Sequence, residues 1–224
     1  MSQWFEQTVL GGYVAEKERR FFAAHAPGRV QTAVQIGAPW LMPSENLIRV
    51  PENVRMNADA MAWESRSLDV LLMPHSHEYC ANPLIALAEA TRVLKPEGRL
   101  VVSGFNPNSL WGGSRLFDGK CLPEKQNRLS LPEFKRQTAA LGFEVEYGKF
   151  MVYVPPVESL NSLKFWQFLE KAGDRWWPQC AAVYGLVLIK RVAGVRPLPE
   201  VEAALKESGN PVVLGAARMG KRAD

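Results

Sequence analysis

The stretch from Ser67 to Phe105 constrains the fold more than any other part of the chain. SLDVLLMPH (Ser67 to His75) has a continuously apolar centre, as expected of a strand buried on both faces. Asn82-Pro83 then opens a helix with proline at a tolerated first-turn position. Leu84, Leu87, Ala88, Ala90, Thr91 and Leu94 recur along it at helical spacing. Lys95-Pro96-Glu97-Gly98 ends that helix, and RLVVSGF (Arg99 to Phe105) is a second apolar strand. Strand, helix, turn and strand in so short a span form a βαβ unit, so the strands lie parallel and the crossover is right-handed. The expected fold class is therefore α/β: a Rossmann-like, doubly wound, mostly parallel sheet. Such sheets bind ligands at the carboxyl ends of their strands, near the switch point in strand order.

Weaker signals fill in the rest. Residues 3–24 read as an amphipathic N-terminal helix carrying Trp4, Phe5, Val9, Tyr13 and Phe21, with Gly11-Gly12 expected to interrupt it. TAVQIG (Thr32 to Gly37) is a short buried strand, and Leu47–Val50 a second one set among Pro39, Pro43 and Pro51. Ser130 and Glu133 form a capping box for a helix that runs to Leu141 and stops at Gly142. Phe143 to Val154 is strand-like. Glu158 to Ala172 is a helical insertion before the last strand, Ala181 to Lys190. The expected organisation is an N-terminal helical segment (1–28), an α/β domain (29–192) and a C-terminal tail (193–224).

Composition narrows the setting. With 224 residues and 47% hydrophobic content the chain suits one core domain. No apolar run approaches the ~18–20 residues that span a bilayer, so no membrane partner is expected. The N-terminus lacks the features of a signal peptide. Cys80, Cys121 and Cys180 form no CxxC pair, which suits a reducing compartment, and the cytoplasm is the expected location. The net charge of +4 is spread along the chain, so a solvated surface is favoured over a nucleic-acid footprint.

Three further motifs stand together: Pro74-His75-Ser76-His77-Glu78, Arg92-Val93-Leu94-Lys95-Pro96-Glu97-Gly98-Arg99-Leu100 and Gly104-Phe105-Asn106-Pro107-Asn108-Ser109-Leu110-Trp111-Gly112. With the flanking segment from Ala58, they resemble the class I S-adenosylmethionine (SAM)-dependent methyltransferases of the type 11 group. Within that group they are most similar to an uncharacterised bacterial branch with PHxxE, RVLxPEGRL and GFNPxSLWG motifs. The resemblance implies SAM as cofactor, S-adenosylhomocysteine as product and methyl transfer to an acceptor that the sequence does not identify. It makes Gly37 the first glycine of the nucleotide-binding turn, flanked by Gln35 and Ala38. Asp59, Ala60 and Met61 match the step where an acidic side chain receives the adenine amino group. Met73, Pro74 and His75 match the strand end beside the methionyl part of SAM, and Glu52 is the nearest candidate for the ribose. The chain departs from the family's glycine motif. Gln35 stands in the acidic position, and Pro39 and Leu41 replace two glycines. A second reading is therefore a methyltransferase-fold protein without catalysis, serving as an interaction or regulatory module. A nicotinamide-dependent enzyme fails on the same missing glycines.

The expected catalytic cluster is His75, His77 and Glu78. In an extended strand the two imidazoles point to one side and with the carboxylate could deprotonate an acceptor. The alternative is a histidine bonded to backbone at a strand end. Asn106 and Trp111, on the long loop after the Arg99 strand, are either substrate contacts under a closing loop or packing residues. Trp166 has core spacing, whereas Trp176-Trp177 could rim a pocket or cover a sheet edge. No metal site is expected, because two histidines without an evident third ligand rarely make one.

Overall fold

The computed structural model describes residues 2–28, 31–41, 47–51, 53–114, 122–123 and 127–192. The tail from 193, the ribose candidate Glu52, Cys121 and much of the loop after Trp111 lie outside the described residues.

Two helices lead into the sheet, α1 (Ser2–Gln7) and α2 (Val9–Ala24). The break between them falls at Thr8, slightly ahead of the glycine pair. Thr8 caps α2 by accepting from the Gly11 amide at 2.9 Å, and its hydroxyl donates to the Trp4 carbonyl at 2.7 Å. Gly11 sits at this seam because a β-carbon there would run into the Trp4 carbonyl oxygen. Gly11→Ala is expected to push α1 off the domain and to lower the unfolding free energy by about 1–3 kcal/mol, the usual cost of overpacking. Urea titration followed by tryptophan fluorescence checks this; an unchanged midpoint would mean that α1 contributes little to stability.

The strands are β1 (Ala33–Ile36), β2 (Leu47–Val50), β3 (Leu68–Pro74), β4 (Leu94–Phe105), β5 (Phe143–Met151) and β6 (Val183–Lys190). They form one sheet ordered β2-β1-β3-β4-β6-β5, in which β1 through β4 pair in parallel and β6 runs antiparallel to both neighbours. The βαβ unit is present as expected. Its helix, α3 (Pro83–Val93), is capped by Asn82, whose side chain accepts from the Leu84 amide at 3.0 Å. The other helices are α4 (Leu110–Ser114), α5 (Leu131–Ala140), α6 (Leu160–Trp166) and α7 (Phe168–Trp176). The single helix expected over 158–172 is thus two, broken at Gln167. At α5 only half of the capping box forms. Ser130 accepts from the Glu133 amide at 3.4 Å, while the Glu133 carboxylate is taken by Arg136 and Gln137.

Alternating side chains of the central strands feed two cores. Val70, Leu72, Val101, Phe105, Val183 and Val187 face α1, α2 and Leu163 of α6. Leu71, Met73, Leu100, Val102, Leu186 and Leu188 face α3 and Phe134 of α5. The N-terminal helices therefore share the domain's own core. Among the described residues no helix is long and apolar enough to cross a membrane.

Candidate functional site

The chain leaves β1 to one side, forms β2, and returns on the other side of β1 as β3. This change of direction opens the crevice expected at such a switch point. A groove of about 460 Å³ lies across the carboxyl ends of these three strands, lined by Gly37, Pro51, Asp59, Ser76, Tyr79 and Cys80 among others.

Gly37 turns the chain out of β1 with φ of +78°, a left-handed conformation that favours glycine. A β-carbon there would lie 3.1 Å from the Ser76 hydroxyl, so a side chain would crowd the groove floor. Ala38 follows, also left-handed, and is buried. The Gln35 amide nitrogen donates to the carbonyls of Gly37 and Ala38, each at 2.9 Å, so glutamine in the family's acidic position pins the turn from beneath. Arg49 holds the next stretch by donating to the carbonyls of Pro39 and Leu41 at 3.0 and 3.4 Å. The Leu41 side chain is buried toward α2, and Trp40 stacks on Phe5 with ring centroids 3.7 Å apart. Neither enters the groove.

Asp59 stands on the groove wall, on a turn closed by a lone bridge between Asn57 and Ala60. Among the described residues no further strand lies between β2 and this step. Ala60 is exposed, while Met61 and Met73 are buried in the core that faces α3. Pro74 ends β3, and its carbonyl accepts from the Ser76 hydroxyl at 3.2 Å; that hydroxyl also donates to the Ile36 carbonyl across the crevice.

The catalytic candidates differ from expectation in geometry. His75 adopts a left-handed conformation (φ 56°) and Ser76–Tyr79 is a 3-10 turn, so the segment is not extended. The two imidazoles consequently part. His75 packs on Phe105 in the core beneath α1, and His77 packs against Phe134 on the opposite face. Both are fully buried, as is Glu78. His75 lies between two carboxylates. Nδ1 is 2.8 Å from Glu78 Oε2, and Nε2 is 2.7 Å from Glu18 Oε1, close enough for an ion pair though outside good hydrogen-bond alignment. The same carboxylates take three further donors. The Ser103 hydroxyl and the Trp40 indole donate to Glu18 at 2.6 and 3.3 Å, and the Phe105 amide donates to Glu78 at 2.7 Å. Burial by itself would lower the His75 pKa, but Glu18 and Glu78 outweigh it and raise it to about 9. His75 is thus a cation clamped between two anions, with no lone pair free as a base. His77 is the reverse: burial lowers it to about 4, and neither ring nitrogen has a hydrogen-bond partner among the described residues.

Asn106 and Trp111 are buried and bonded to backbone. Asn106 donates to the carbonyls of Gln179 and Ala181 at 2.7 and 3.0 Å, and the Trp111 indole donates to the Val154 carbonyl at 2.8 Å. Asn106 pins the loop after β4 to the segment that leads into β6, and Trp111 pins it to the segment that follows β5. Trp166 is partly buried against the α1–α2 core. No group of three metal-ligating side chains occurs among the described residues. Glu18 is the buried partner of His75 that sequence reasoning passed over. Its signal was available, because it lies on the stripe of Gly11, Val14, Ala15, Phe21 and Phe22, where a carboxylate needs a buried partner.

This geometry has known counterparts. A family model described as a methyltransferase domain matches residues 22–102. A SAM-dependent methyltransferase from Thermotoga maritima superposes with a TM-score of 0.56 at 18% identity, covering 80% of this chain and 89% of the other. The chain has the class I methyltransferase fold. A second SAM-dependent methyltransferase, from Mesorhizobium loti, superposes with a TM-score of 0.50 at 11% identity over 76% of this chain and 96% of that one. A sequence relative, the uncharacterized protein YafS of Escherichia coli (strain K12), is 34% identical over 108 residues. That match spans 47% of this chain and 45% of the relative's length. Within the methyltransferase fold the groove at Gly37 and Asp59 occupies the switch-point crevice. Phe5 and Phe105 pack against the buried His75, with Trp40 stacked on Phe5 and Trp111 beside Phe105.

Proposed function

We propose that the chain is a SAM-dependent methyltransferase that holds its cofactor in the groove between Gly37 and Asp59. The observation that carries this reading is the open crevice at the switch point, which the side chains of Trp40 and Leu41 leave clear despite the altered glycine motif. The residues present fit the adenosine half of the cofactor. Asp59 is placed to accept from the adenine amino group, Tyr79 offers a partly exposed ring, and Gly37 admits the ligand close to the backbone. SAM when bound supplies an electrophilic methyl group on its sulfonium, so the protein's task is chiefly orientation. Gln35 and Arg49 hold the turn that carries Gly37, and the Glu18–His75–Glu78 clamp holds the strand end that carries Ser76. In this reading His75 is a positioning residue rather than the base for the acceptor.

The second reading, a methyltransferase-fold module without catalysis, is favoured by the engagement of His75, Asn106 and Trp111 in buried structural contacts. Calorimetric titration with SAM and with S-adenosylhomocysteine separates the two. The enzyme reading expects dissociation constants on the order of micromolar, weakened about tenfold or more by Asp59→Ala through loss of a hydrogen bond to a charged group. Absence of heat from either ligand, with folded protein, removes the enzyme reading and leaves the module.

A further inference from the structure

The most exposed apolar surface lies on α6 and α7, away from the residues that line the groove. Leu160, Phe165, Phe168, Trp176 and Trp177 are between 57% and 69% exposed. Among the described residues no other helix or strand presents more than two large exposed apolar side chains. Phe165, Trp166 and Phe168 form one aromatic cluster at the junction of the helices, with centroids 5.1 to 6.4 Å apart.

On the outer stripe of α7 the charges have one sign. At 100° per residue, Phe168, Lys171, Ala172 and Arg175 share the outer stripe of α7, with Trp176 at its border. Leu169 and Gly173 turn inward, where Leu169 lines a recess and a β-carbon on Gly173 would strike the Tyr153 ring. The acidic residue of that helix turns inward too. Glu170 pairs with Lys17 at 3.2 Å and accepts from the Tyr153 amide at 2.9 Å. Lys164 of α6 is exposed beside Phe165, and the Arg175 guanidinium lies over the Trp176 ring at 5.9 Å. Asp174 is exposed but falls off the stripe, and Glu158 precedes α6. Beneath the stripe is an apolar recess of about 350 Å³ walled by Leu110, Tyr153, Leu169, Trp177 and Cys180.

We infer that α6 and α7 dock the protein on the surface of an anionic phospholipid bilayer. Phe165, Phe168, Trp176 and Trp177 would enter the headgroup boundary, and Lys164, Lys171 and Arg175 would meet lipid phosphates. Tryptophan and phenylalanine interleaved with lysine and arginine on an amphipathic helix is the pattern of a helix lying in the interface plane. A protein partner fits less well, because lysine is depleted where proteins meet. Surface docking needs no spanning helix, so it departs from the expectation of no membrane partner that rested on the lack of one. It does not depend on the cofactor reading.

Flotation of the full chain with vesicles tests this. One set is phosphatidylcholine alone and the other contains about a third phosphatidylglycerol, enough to attract basic side chains at low salt. The protein is expected to float with the anionic set only and to release as salt rises. Phe165→Ser with Phe168→Ser should weaken binding at least about tenfold, since two aromatic side chains no longer leave water. Ile85→Ser, an exposed apolar site on α3, should leave it unchanged. Circular dichroism confirms that both variants fold, as their exposure makes expected. Three results overturn the inference: no flotation with anionic vesicles, equal flotation with both sets, or equal binding by the double variant. A concentration-dependent dimer broken by the double variant, without vesicle binding, would assign the surface to a second copy of the chain.

Discussion

Glu18→Ala is expected to lower the unfolding free energy by about 3–5 kcal/mol, the range seen when one partner is removed from a buried ion pair. Glu18 is fully buried and serves three elements at once: His75 at the end of β3, Ser103 in β4 and Trp40 in the turn after β1. Truncation leaves the Ser103 hydroxyl and the Trp40 indole without their acceptor and His75 with one carboxylate in place of two. Glu18→Gln keeps the shape and an acceptor oxygen but loses the charge, so its loss should be the smaller one. For a domain of this size the alanine variant should melt about 10 °C lower. Thermal and urea unfolding of both variants read this directly. A loss under about 1 kcal/mol for alanine would show that desolvation of the cluster cancels its attraction.

Glu18 also shows where the sequence was legible and where it was not. The βαβ unit could be read because periodicity and the Asn82-Pro83 cap are local signals that agree with the fold, although the turn expected at Lys95–Gly98 is instead part of β4, which begins at Leu94. A groove at the sheet's carboxyl edge could be anticipated for the same reason. The roles of His75, His77 and Glu78 could not, because they depend on a backbone reversal at His75 and on a carboxylate 57 positions earlier in the chain. An extended reading of Pro74–Glu78 puts the imidazoles side by side, whereas the left-handed residue sends them to opposite cores. Asn106 and Trp111 illustrate the same limit. Their polar groups looked available for a ligand, yet carbonyls of the segments before β6 and after β5 take them. The turn after Gly37 held the opposite surprise: Leu41 in a glycine position does not close the groove, because its side chain is buried toward α2, and the neighbouring Trp40 stacks on Phe5 of α1.

The two buried histidines should give stability a maximum near pH 6.5, with slopes of opposite sign on either side. The folded pKa of His75 is raised from 6.5 to about 9. Folding therefore holds a proton that the unfolded chain releases first, and this contribution is complete below pH 6.5 and lost as pH rises through about 9. His77 is lowered from 6.5 to about 4, so the unfolded chain takes up a proton that the folded chain refuses. Its contribution is present above pH 6.5 and lost as pH falls toward about 4. Each shift corresponds to about 3 kcal/mol at full extent. His25, lowered mainly by burial, adds a shallow slope of the same sign as His77. Asp69 and Glu89, held down chiefly by hydrogen bonds from Lys95 and Arg92, lose their contribution only at the acid end. Urea midpoints measured across this range separate the two histidines. His77→Gln should flatten the acid limb above the carboxylate range, and Glu18→Gln should shallow the alkaline limb because one of the two anions that hold the His75 proton is gone. A wild-type profile flat from pH 6.5 to 9 would mean that His75 is neutral in the fold.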